Sequence, residues 1–333
     1  MTTMRRLTLL LFVLAACQSA FGQGTGPHEP IVLPGVKEVQ RPYSLLKPAA
    51  SFQVGENADW VVIGDDSVWV AGAKPFNLQR IDPSTNKVVA TLSLAGEACS
   101  GLEIGFGSVW VPLCTEKPML ARVDLRTNKV SATLAIGPAA PEGGIAASKD
   151  SVWLVTDDRG TLSRIDPSTN AVRQTVKIAP GAINPIFSDG IVWISSPKTN
   201  ALIAVDADKG AIIEEIPVGP KPQFLTAGAG SIWTLNQGDG TISRVDARSR
   251  KLTATVRPGI PGPGGDVCFG AGSIWASIFN VPLTMVDAAN NKVLKQWVGP
   301  GGDSLRFGFD ALWITDYHRG WLWRIPLEDI QKQ

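Results

Sequence analysis

An all-β fold, a seven-bladed β-propeller of four-stranded antiparallel blades, is predicted by three features of this sequence. A Ser-Val/Ile-Trp core or a close variant recurs seven times, at spacings of 41, 43, 40, 40, 42 and 38 residues. Its centres are Trp69, Trp110, Trp153, Trp193, Trp233, Trp275 and Trp313. An Arg-x-Asp-like element and a run rich in Val and Thr follow most copies, and no helical periodicity persists within the repeats. Repeats of about 40 residues with four strands are typical of propeller blades.

A complete repeat supplies four strands, which we call a, b, c and d from the channel outwards. Strand a is the apolar stretch before the Trp, such as residues 100–105 in the second repeat, and it ends at a turn, where a Gly or Asp stands three residues before every repeat Trp. Such residues tolerate the positive φ that tight hairpins demand. Strand b carries the Trp, and strand c carries Arg-x-Asp. The turn Asp-Pro-Ser-Thr-Asn, at 82–86 and 166–170, then leads into the Val/Thr-rich strand d.

The repeated Trp and Arg side chains are predicted to be structural. A Trp in the same slot of every blade packs between blades, whereas a ligand site would need it in one blade only. The Arg residues of strand c likewise occupy one slot, so we expect them to tie neighbouring loops together. They are Arg80, Arg122, Arg164 and Arg244.

Closure of the ring is predicted from the two ends of the repeat region. The seventh repeat has no fourth strand after its strand c, whereas the segment 51–55 ends 14 residues before Trp69. Gly96, at the end of strand d of the first repeat, also stands 14 residues before the next Trp. The N-terminal strand should therefore complete blade seven, which gives a propeller over residues 51–333. Residues 23–50 contain several prolines and are expected to form a spacer.

Residues 1–22 are predicted to be an export signal, so the protein should be periplasmic or secreted. Arg5 and Arg6 precede a short apolar stretch, residues 7–16, that is too short to span a bilayer. Ala20-Phe21-Gly22 is a small-x-small cleavage site. Alternatively, Leu14-Ala15-Ala16-Cys17 resembles a bacterial lipobox, which would make Cys17 a lipid anchor in a membrane-attached lipoprotein. No other segment approaches the length of a transmembrane span.

Charge and cysteine content narrow the possible partners and the redox state. The chain has 31 Lys and Arg against 30 Asp and Glu, which gives no basic surface for nucleic acid. Export permits a disulfide. Cys99 lies in a d–a loop and Cys114 begins a b–c loop, so both fall on one face of blade two. We expect these two to be linked and Cys268 to be free.

The b–c and d–a loops should surround the mouth of the central channel on one face, which is the expected position of a site. The seventh b–c loop places Tyr317, His318 and Arg319 side by side. Tyr317 and His318 are candidate catalytic residues for proton transfer, beside Arg319 as an anion-binding group. Asp157 and Asp158 of the third b–c loop are further ligand-binding candidates. The alternative is that these are polar loops that cap their blades.

A second candidate site comes from the register of strand a. Seven residues before the repeat Trp, five blades carry small, apolar or weakly polar residues, but blade two carries Glu103 and blade seven carries Arg306. A buried unpaired charge is costly, so both should face the channel or find partners. With Trp60 as a stacking surface at the mouth, they would form a ligand-binding site. The alternative is a water-filled channel without a ligand.

The repeats resemble those of exported YVTN-type and streptogramin (virginiamycin B) lyase-like propellers. The residues that match are Gly-Ser-Val-Trp-Val at 107–111 and Arg-Ile-Asp-Pro-Ser-Thr-Asn at 80–86 and 164–170. For the lyases, the resemblance implies elimination chemistry with Mg²⁺, a Glu-x-His pair and another His on the channel face. This sequence has no Glu-x-His; His28 precedes the ring, so His318 alone could act as a base.

We therefore expect an exported binding or interaction module that recognises a small molecule, a peptide or an envelope protein on the channel-mouth face. The alternative is a streptogramin-lyase-like enzyme that acts on a small molecule through His318. Mg²⁺ would be its cofactor only in the second case.

Overall fold

Seven antiparallel sheets surround a central channel, which confirms the predicted propeller. The structure is a computed structural model, and it describes residues 35–333. The predicted export signal, with both processing alternatives and Cys17, lies outside the described residues. The innermost strands of successive blades contact one another all the way around the ring, including those of blades seven and one.

The strands are numbered in chain order, and those of each blade are given below in order from the channel outwards. Blade one contains β3 (Asn57–Ile63), β4 (Val68–Ala73), β5 (Asn77–Asp82) and β6 (Lys87–Ser93). Blade two contains β7 (Glu97–Ala98) with β8 (Glu103–Gly105), then β9 (Ser108–Cys114), β10 (Met119–Asp124) and β11 (Lys129–Leu134). Blade three contains β12 (Ile145–Ala147), β13 (Val152–Asp157), β14 (Thr161–Asp166) and β15 (Ala171–Lys177). Blade four contains β16 (Asn184–Ser188), β17 (Ile191–Ser196), β18 (Ala201–Asp206) and β19 (Ala211–Pro217).

The remaining blades include the two strands that precede blade one in the chain. Blade five contains β20 (Pro222–Gly228), β21 (Ser231–Asn236), β22 (Thr241–Asp246) and β23 (Leu252–Val256). Blade six contains β24 (Asp266–Gly270), β25 (Ser273–Ile278), β26 (Val281–Asp287), β27 (Lys292–Val298) and outermost β1 (Gln40–Pro42). Blade seven contains β28 (Leu305–Gly308), β29 (Ala311–Asp316), β30 (Trp321–Pro326) and β2 (Ala50–Gln53). Short helices are the 3-10 turns Lys37–Val39, Tyr43–Leu45 and Tyr317–Arg319, and α1 (Leu327–Gln331).

Blade seven is completed by the N-terminal strand, as predicted. Strand β2 pairs antiparallel with β30, from Ala50 opposite Arg324 to Gln53 opposite Trp321. Phe52 of β2 is buried and its ring stacks on Trp313 at 6.0 Å between centroids. The ring is thus closed by residues from both ends of the repeat region, which leaves blade seven with a full set of four strands.

The described part of the expected spacer, residues 35–49, packs on blades six and seven. Strand β1 adds to β27 as a parallel fifth strand. Tyr43 and Leu46 follow it and are buried with Trp297 and Leu305 in one apolar cluster. In the described residues, no helix has the length and apolar character needed to cross a membrane.

Each repeat Trp is buried completely, because the b strands are covered on both faces by neighbouring sheets. Four strand-c arginines lie over the Trp of their own blade at 4.7–5.5 Å from guanidinium carbon to ring centroid. The same guanidinium reaches the next blade: Arg244 Nη1 donates to Ala288 O at 2.9 Å and to Asn291 Oδ1 at 3.0 Å. The predicted link between loops is therefore confirmed. Arg80, Arg122 and Arg164 make the corresponding bonds.

The turn after strand c is shaped by its own side chains. Asp82 Oδ1 accepts hydrogen bonds from the backbone N–H groups of Ser84 and Thr85. Asn86 then adopts a positive φ of 54°, a conformation that Asn tolerates better than most residues. In six blades the pairing of strands c and d shifts register directly after the arginine slot, the position on strand c that corresponds to Arg244 of blade five. This bulge places the slot and the turn where neighbouring blades meet.

The innermost strand of blade two differs from the prediction, which had placed one strand over residues 100–105. The structure has two pieces, β7 and β8, that both pair with β9. Between them Cys99 is bonded to Cys114, and Gly101 N donates to Gly143 O of the following loop. The segment 99–102 therefore leaves the ladder. The predicted disulfide is confirmed, and Cys268 is free and buried.

The closure of blade seven predicts a large cost for truncating Phe52. Phe52→Ala should lower the free energy of unfolding by about 3–5 kcal/mol, because a buried ring is lost from the last sheet. Phe76→Ala is the matched control, since Phe76 is 41% exposed, and it should cost less than about 1 kcal/mol. Chemical denaturation measures both. Equal losses for the two variants would contradict the closing role of β2.

The contact between blades five and six predicts that lysine cannot replace Arg244. Arg244→Lys keeps the charge but loses the planar group that stacks on Trp233 and bonds the next turn, so it should cost about 1–3 kcal/mol. Arg248→Lys, at an exposed position of the neighbouring turn, is the control and should be nearly neutral. A neutral Arg244→Lys in the same denaturation experiment would argue against the cross-blade link.

Candidate functional site

The central channel contains a cavity of about 370 Å³ that is lined by the innermost strands of all seven blades. Aromatic side chains make up much of its wall: Trp60, Phe187, Phe224, Phe269 and Phe307. The polar and charged groups in the wall include Glu103, Asn184, Thr226, Asp266 and Arg306. Three predicted residues, Trp60, Glu103 and Arg306, are thus brought together around one cavity.

The cavity is closed towards the face formed by the d–a and b–c loops, which we call the loop face. Trp60 of blade one and Phe224 of blade five meet across the channel at 6.1 Å between ring centroids, and both are at most 2% exposed. Above them, Gln223 of blade five donates to the backbone oxygen of Glu142, which lies in the loop between blades two and three. Non-neighbouring blades therefore form a floor across the channel.

The cavity opens instead towards the face of the a–b hairpins, which we call the hairpin face. Lining residues at this end of strand a are partly exposed, among them Ile63, Phe187, Ala227, Phe269 and Phe307. The expected mouth on the loop face is therefore wrong for this cavity, and Trp60 is part of the floor rather than a stacking surface at the mouth. Two large rings from opposite blades cause the difference, because they fill the channel where it was expected to open.

Arg306 is paired with a residue that the sequence pattern did not single out. Its Nη1 forms an ion pair with Asp266 Oδ2 of blade six and also donates to Leu305 O. The Asp266 carboxylate is buried, and it accepts further bonds from Ser304 Oγ and Val267 N. A signal was present, because Asp266 stands nine residues before Trp275, in the slot that Trp60 and Phe224 occupy in their own repeats.

Glu103 faces the cavity without an ion pair within the described residues. Its Oε1 accepts a hydrogen bond from Ile104 N at 3.2 Å. Burial raises the pKa of Glu103 to about 7, although the positive charge of Arg306 opposes the shift. Burial likewise raises the pKa of the Cys268 thiol, which lies in the same wall. The cavity thus combines one matched ion pair with one unmatched carboxyl.

A separate group of carboxyls lies near the loop face. Asp59 and Asp303 share a hydrogen bond between their side chains, and burial raises the pKa of both, that of Asp303 to about 8. Burial also raises the pKa of Glu142 to about 7, and the charges of Asp266 and Glu97 add to the effect. None of the carboxyls of Asp59, Glu142 and Asp303 lines the cavity.

The candidate catalytic residues lie on the loop face as well. His318 is exposed, and its ring lies 5.0 Å from Phe279 and 5.3 Å from Tyr317. Burial and the charge of Asp59 raise the pKa of Tyr317. The Arg319 guanidinium contacts the buried Asp316 carboxylate at 3.5 Å. These three residues are neighbours, as expected, but they are not part of the cavity wall.

Asp157 and Asp158 are turn residues in the structure. The Asp157 carboxylate accepts bonds from the backbone and hydroxyl groups of Thr161, and Asp158 O accepts one from Gly181 N. The structure does not bring them to the cavity. In the described residues, no group of three or more His, Cys, Asp or Glu side chains is arranged to hold a metal ion. The residues present therefore do not fit the Mg²⁺ site that the lyase resemblance implied.

Comparison with known proteins identifies the fold and not the family. No family model and no curated protein sequence matches the chain. Its structure is similar to that of BamB from Moraxella catarrhalis, with a TM-score of 0.60 and 13% identity over 84% of this chain and 97% of that chain. It is also similar to a streptogramin B lyase, with a TM-score of 0.65 and 14% identity over 81% and 94%. At these identities the likeness shows a shared β-propeller fold alone.

The buried carboxyls predict that the protein is more stable at pH 5.5 than at pH 8. Glu103 keeps its proton up to a pKa of about 7 when folded but loses it near 4.5 when unfolded, so stability falls as the pH rises through this window. The full effect of this one group has an upper limit of about 3 kcal/mol. Raised pKa values at Asp59, Glu142 and Asp303 act in the same direction.

Thermal melts of the wild type and Glu103→Gln between pH 5 and pH 8 measure this effect. The variant should lose less stability across the range, because its side chain does not ionise. Glu215→Gln, at an exposed position of an outer strand, is the control and should keep the wild-type slope. Parallel curves for Glu103→Gln and wild type would contradict the assignment to Glu103.

Proposed function

We propose that this propeller is a binding module that takes a small molecule, or a segment of a peptide, into its central cavity through the hairpin face. The observation that supports this most directly is the shape of the cavity. It has a floor of Trp60 and Phe224, an opening bordered by partly exposed aromatic rings, and a few charged groups in between. Such concave, mostly apolar spaces with a small number of polar groups are typical ligand sites.

The floor determines how a ligand would enter and leave. Since Trp60 and Phe224 are nearly fully buried and in contact across the channel, the cavity is a blind pocket and not a passage between the two faces. Its volume of about 370 Å³ lies in the range of sites for small ligands. A folded protein partner is too large to enter, so only a small molecule or a chain segment would fit.

We propose further that the module works outside the cytoplasm, in the periplasm or as a secreted protein. The proposal rests on the charged and apolar pattern of residues 1–22 and on the Cys99–Cys114 disulfide, which suits an oxidising compartment. A peptide ligand would then be a segment of another exported protein. The choice between cleavage after Gly22 and lipidation at Cys17 does not affect the cavity.

Binding is favoured over lyase chemistry because the groups that chemistry would need are not assembled around the cavity. His318 lies on the loop face, whereas the cavity opens on the hairpin face. The rings of Phe279 and Tyr317 pack beside the imidazole. The Mg²⁺ site of the lyase-like alternative does not fit the described residues. An enzyme that uses His318 would therefore need a site other than the cavity.

Filling the cavity should abolish ligand binding. A library of small fragments can be screened by ligand-observed NMR against the wild type and against Thr226→Phe, which adds a ring inside the cavity wall. We expect fragments that bind the wild type to lose at least tenfold in affinity for this variant. Thr175→Phe adds the same ring at an exposed position of an outer strand and should bind as the wild type does.

Two results would count against this function. If Thr226→Phe folds with a wild-type melting temperature and binds the same fragments as Thr175→Phe, then the cavity is not the site. Turnover of any fragment that is lost in His318→Ala would instead support the enzymatic alternative.

A further inference from the structure

We propose that the ligand of the central cavity carries a protonated amine on an apolar, ring-containing body, and that Glu103 is the counter-ion of this amine. The inference rests on the proposed function, since it assumes that the cavity is a ligand site. It goes further by assigning the chemical class of the ligand and the residue that selects it.

Glu103 has an unused acceptor in the cavity. Its carboxyl lines the wall, accepts a hydrogen bond through Oε1, and forms no ion pair within the described residues. The donor, Ile104 N, belongs to the next residue of the same strand. The other carboxyl oxygen is therefore available to a ligand. A partly buried carboxylate without a cation is costly, so a ligand that supplies a cation is favoured.

Arg306, in contrast, is already matched. Its guanidinium is paired with Asp266, whose carboxylate is 3% exposed and has further hydrogen bonds from its surroundings. The pair is nearly neutral before any ligand arrives. Glu103 and Arg306 are farther apart than an ion pair, although the charge of Arg306 acts on Glu103 through space. The unmatched group in the cavity is thus the carboxyl and not the guanidinium, which favours a cationic ligand over an anionic one.

The wall near the opening is aromatic. Phe187, Phe269 and Phe307 are partly exposed there and come from blades four, six and seven. Aromatic faces attract ammonium groups and also cover apolar rings. A ligand with an amine and an apolar ring would satisfy both the carboxyl and this aromatic wall.

Titration of Glu103 provides a distinctive signature for such a ligand. Burial raises its pKa to about 7, so near pH 7 about half of the molecules carry a neutral carboxyl. The other titratable groups in the wall are Asp266, Arg306 and the buried thiol of Cys268; the adjacent strands β3 and β12 contribute none to it. An ammonium group binds the ionised form, so its binding should release a proton at pH 6–7.

The experiment compares three probes that share one ring and differ in charge: 2-phenylethylamine, 2-phenylethanol and 3-phenylpropionate. Isothermal titration at pH 8 should show that the amine binds the wild type at least tenfold more tightly than the alcohol or the acid. Its affinity should fall about tenfold between pH 8 and pH 6, as a group with a pKa of about 7 takes up its proton. Titrations in two buffers of different ionisation enthalpy should reveal the released proton.

Two variants locate the effect. Glu103→Gln should bind the amine no better than the alcohol, while its affinity for the alcohol stays unchanged. Glu142→Gln is a matched control, because burial raises the pKa of Glu142 to about 7 as well, yet its carboxyl does not line the cavity. This control should keep both the preference for the amine and its pH dependence. If Glu103→Gln does not fold, the pH dependence and proton release of the wild type still test the proposal.

The failure of this inference can be told from the failure of the proposed function. Tighter binding of the acid or the alcohol than of the amine, lost in Thr226→Phe, would overturn the role of Glu103 while supporting the cavity as a ligand site. A preference for the amine over the alcohol that persists in Glu103→Gln would also overturn it. If none of the three probes binds at millimolar concentration, the assignment of a ring-bearing amine is overturned, whereas the proposed function is decided by the fragment screen with Thr226→Phe.

Discussion

The fold depends on a contact that four of the seven blades make with the next blade through an arginine stacked on a buried tryptophan. Arg244 lies 4.7 Å above the ring of Trp233 in its own blade and donates hydrogen bonds to the turn of the following blade. The guanidinium suits this position because its flat face covers the ring while its N–H groups point outwards to carbonyl oxygens. A blade cannot bury its own sheet faces, so a repeated contact of this kind turns seven marginal sheets into one ring. Blades four and six have Ala204 and Met285 at this position, and the polar contact to the next blade comes from strand d instead. Glu214 forms an ion pair with Arg250, and Lys295 Nζ donates to Gln331 O.

Ring closure leaves the side chains of the innermost strands freer to vary between repeats than those of the other strands. The b and c strands are covered on both sides, so their side chains are fixed by packing. The innermost strands border open space, and there the seven repeats differ most: one slot holds Trp60 in blade one, Phe224 in blade five and Asp266 in blade six. Two of these side chains close the channel from opposite sides, and the third holds Arg306. The repeated residues therefore form the ring of blades, and residues that depart from the repeat line the cavity.

The same distinction explains what the sequence could and could not predict. The blades, the closing strand and the Cys99–Cys114 bond follow from spacing along the chain, because they depend on contacts within one blade or between its neighbours. The sequence also predicted that Glu103 and Arg306 face the channel, because a charged residue stands out when the residues seven positions before each repeat Trp are compared. It could not show that Trp60 would reach Phe224, because blades one and five are remote in the chain and their contact depends on the radius of the ring. The side on which the cavity opens follows from that contact alone.

The presence of carboxyl groups in the channel region is difficult to explain by a contribution to the stability of the folded protein. Burial raises the pKa of Glu103, Asp59 and Asp303, which means that their ionised forms are destabilised in the folded protein at neutral pH. Asp59 and Asp303 relieve part of this cost by sharing a hydrogen bond. Within residues 35–333 Glu103 has no comparable partner, and an alanine or valine at its position, as in blades three and one, would remove the cost entirely. A group that costs stability and faces a cavity is more readily explained by an interaction that the free protein lacks than by packing. A ligand cation would supply that interaction, and the energy of burying the carboxyl would then contribute to selectivity, because neutral and anionic ligands cannot recover it.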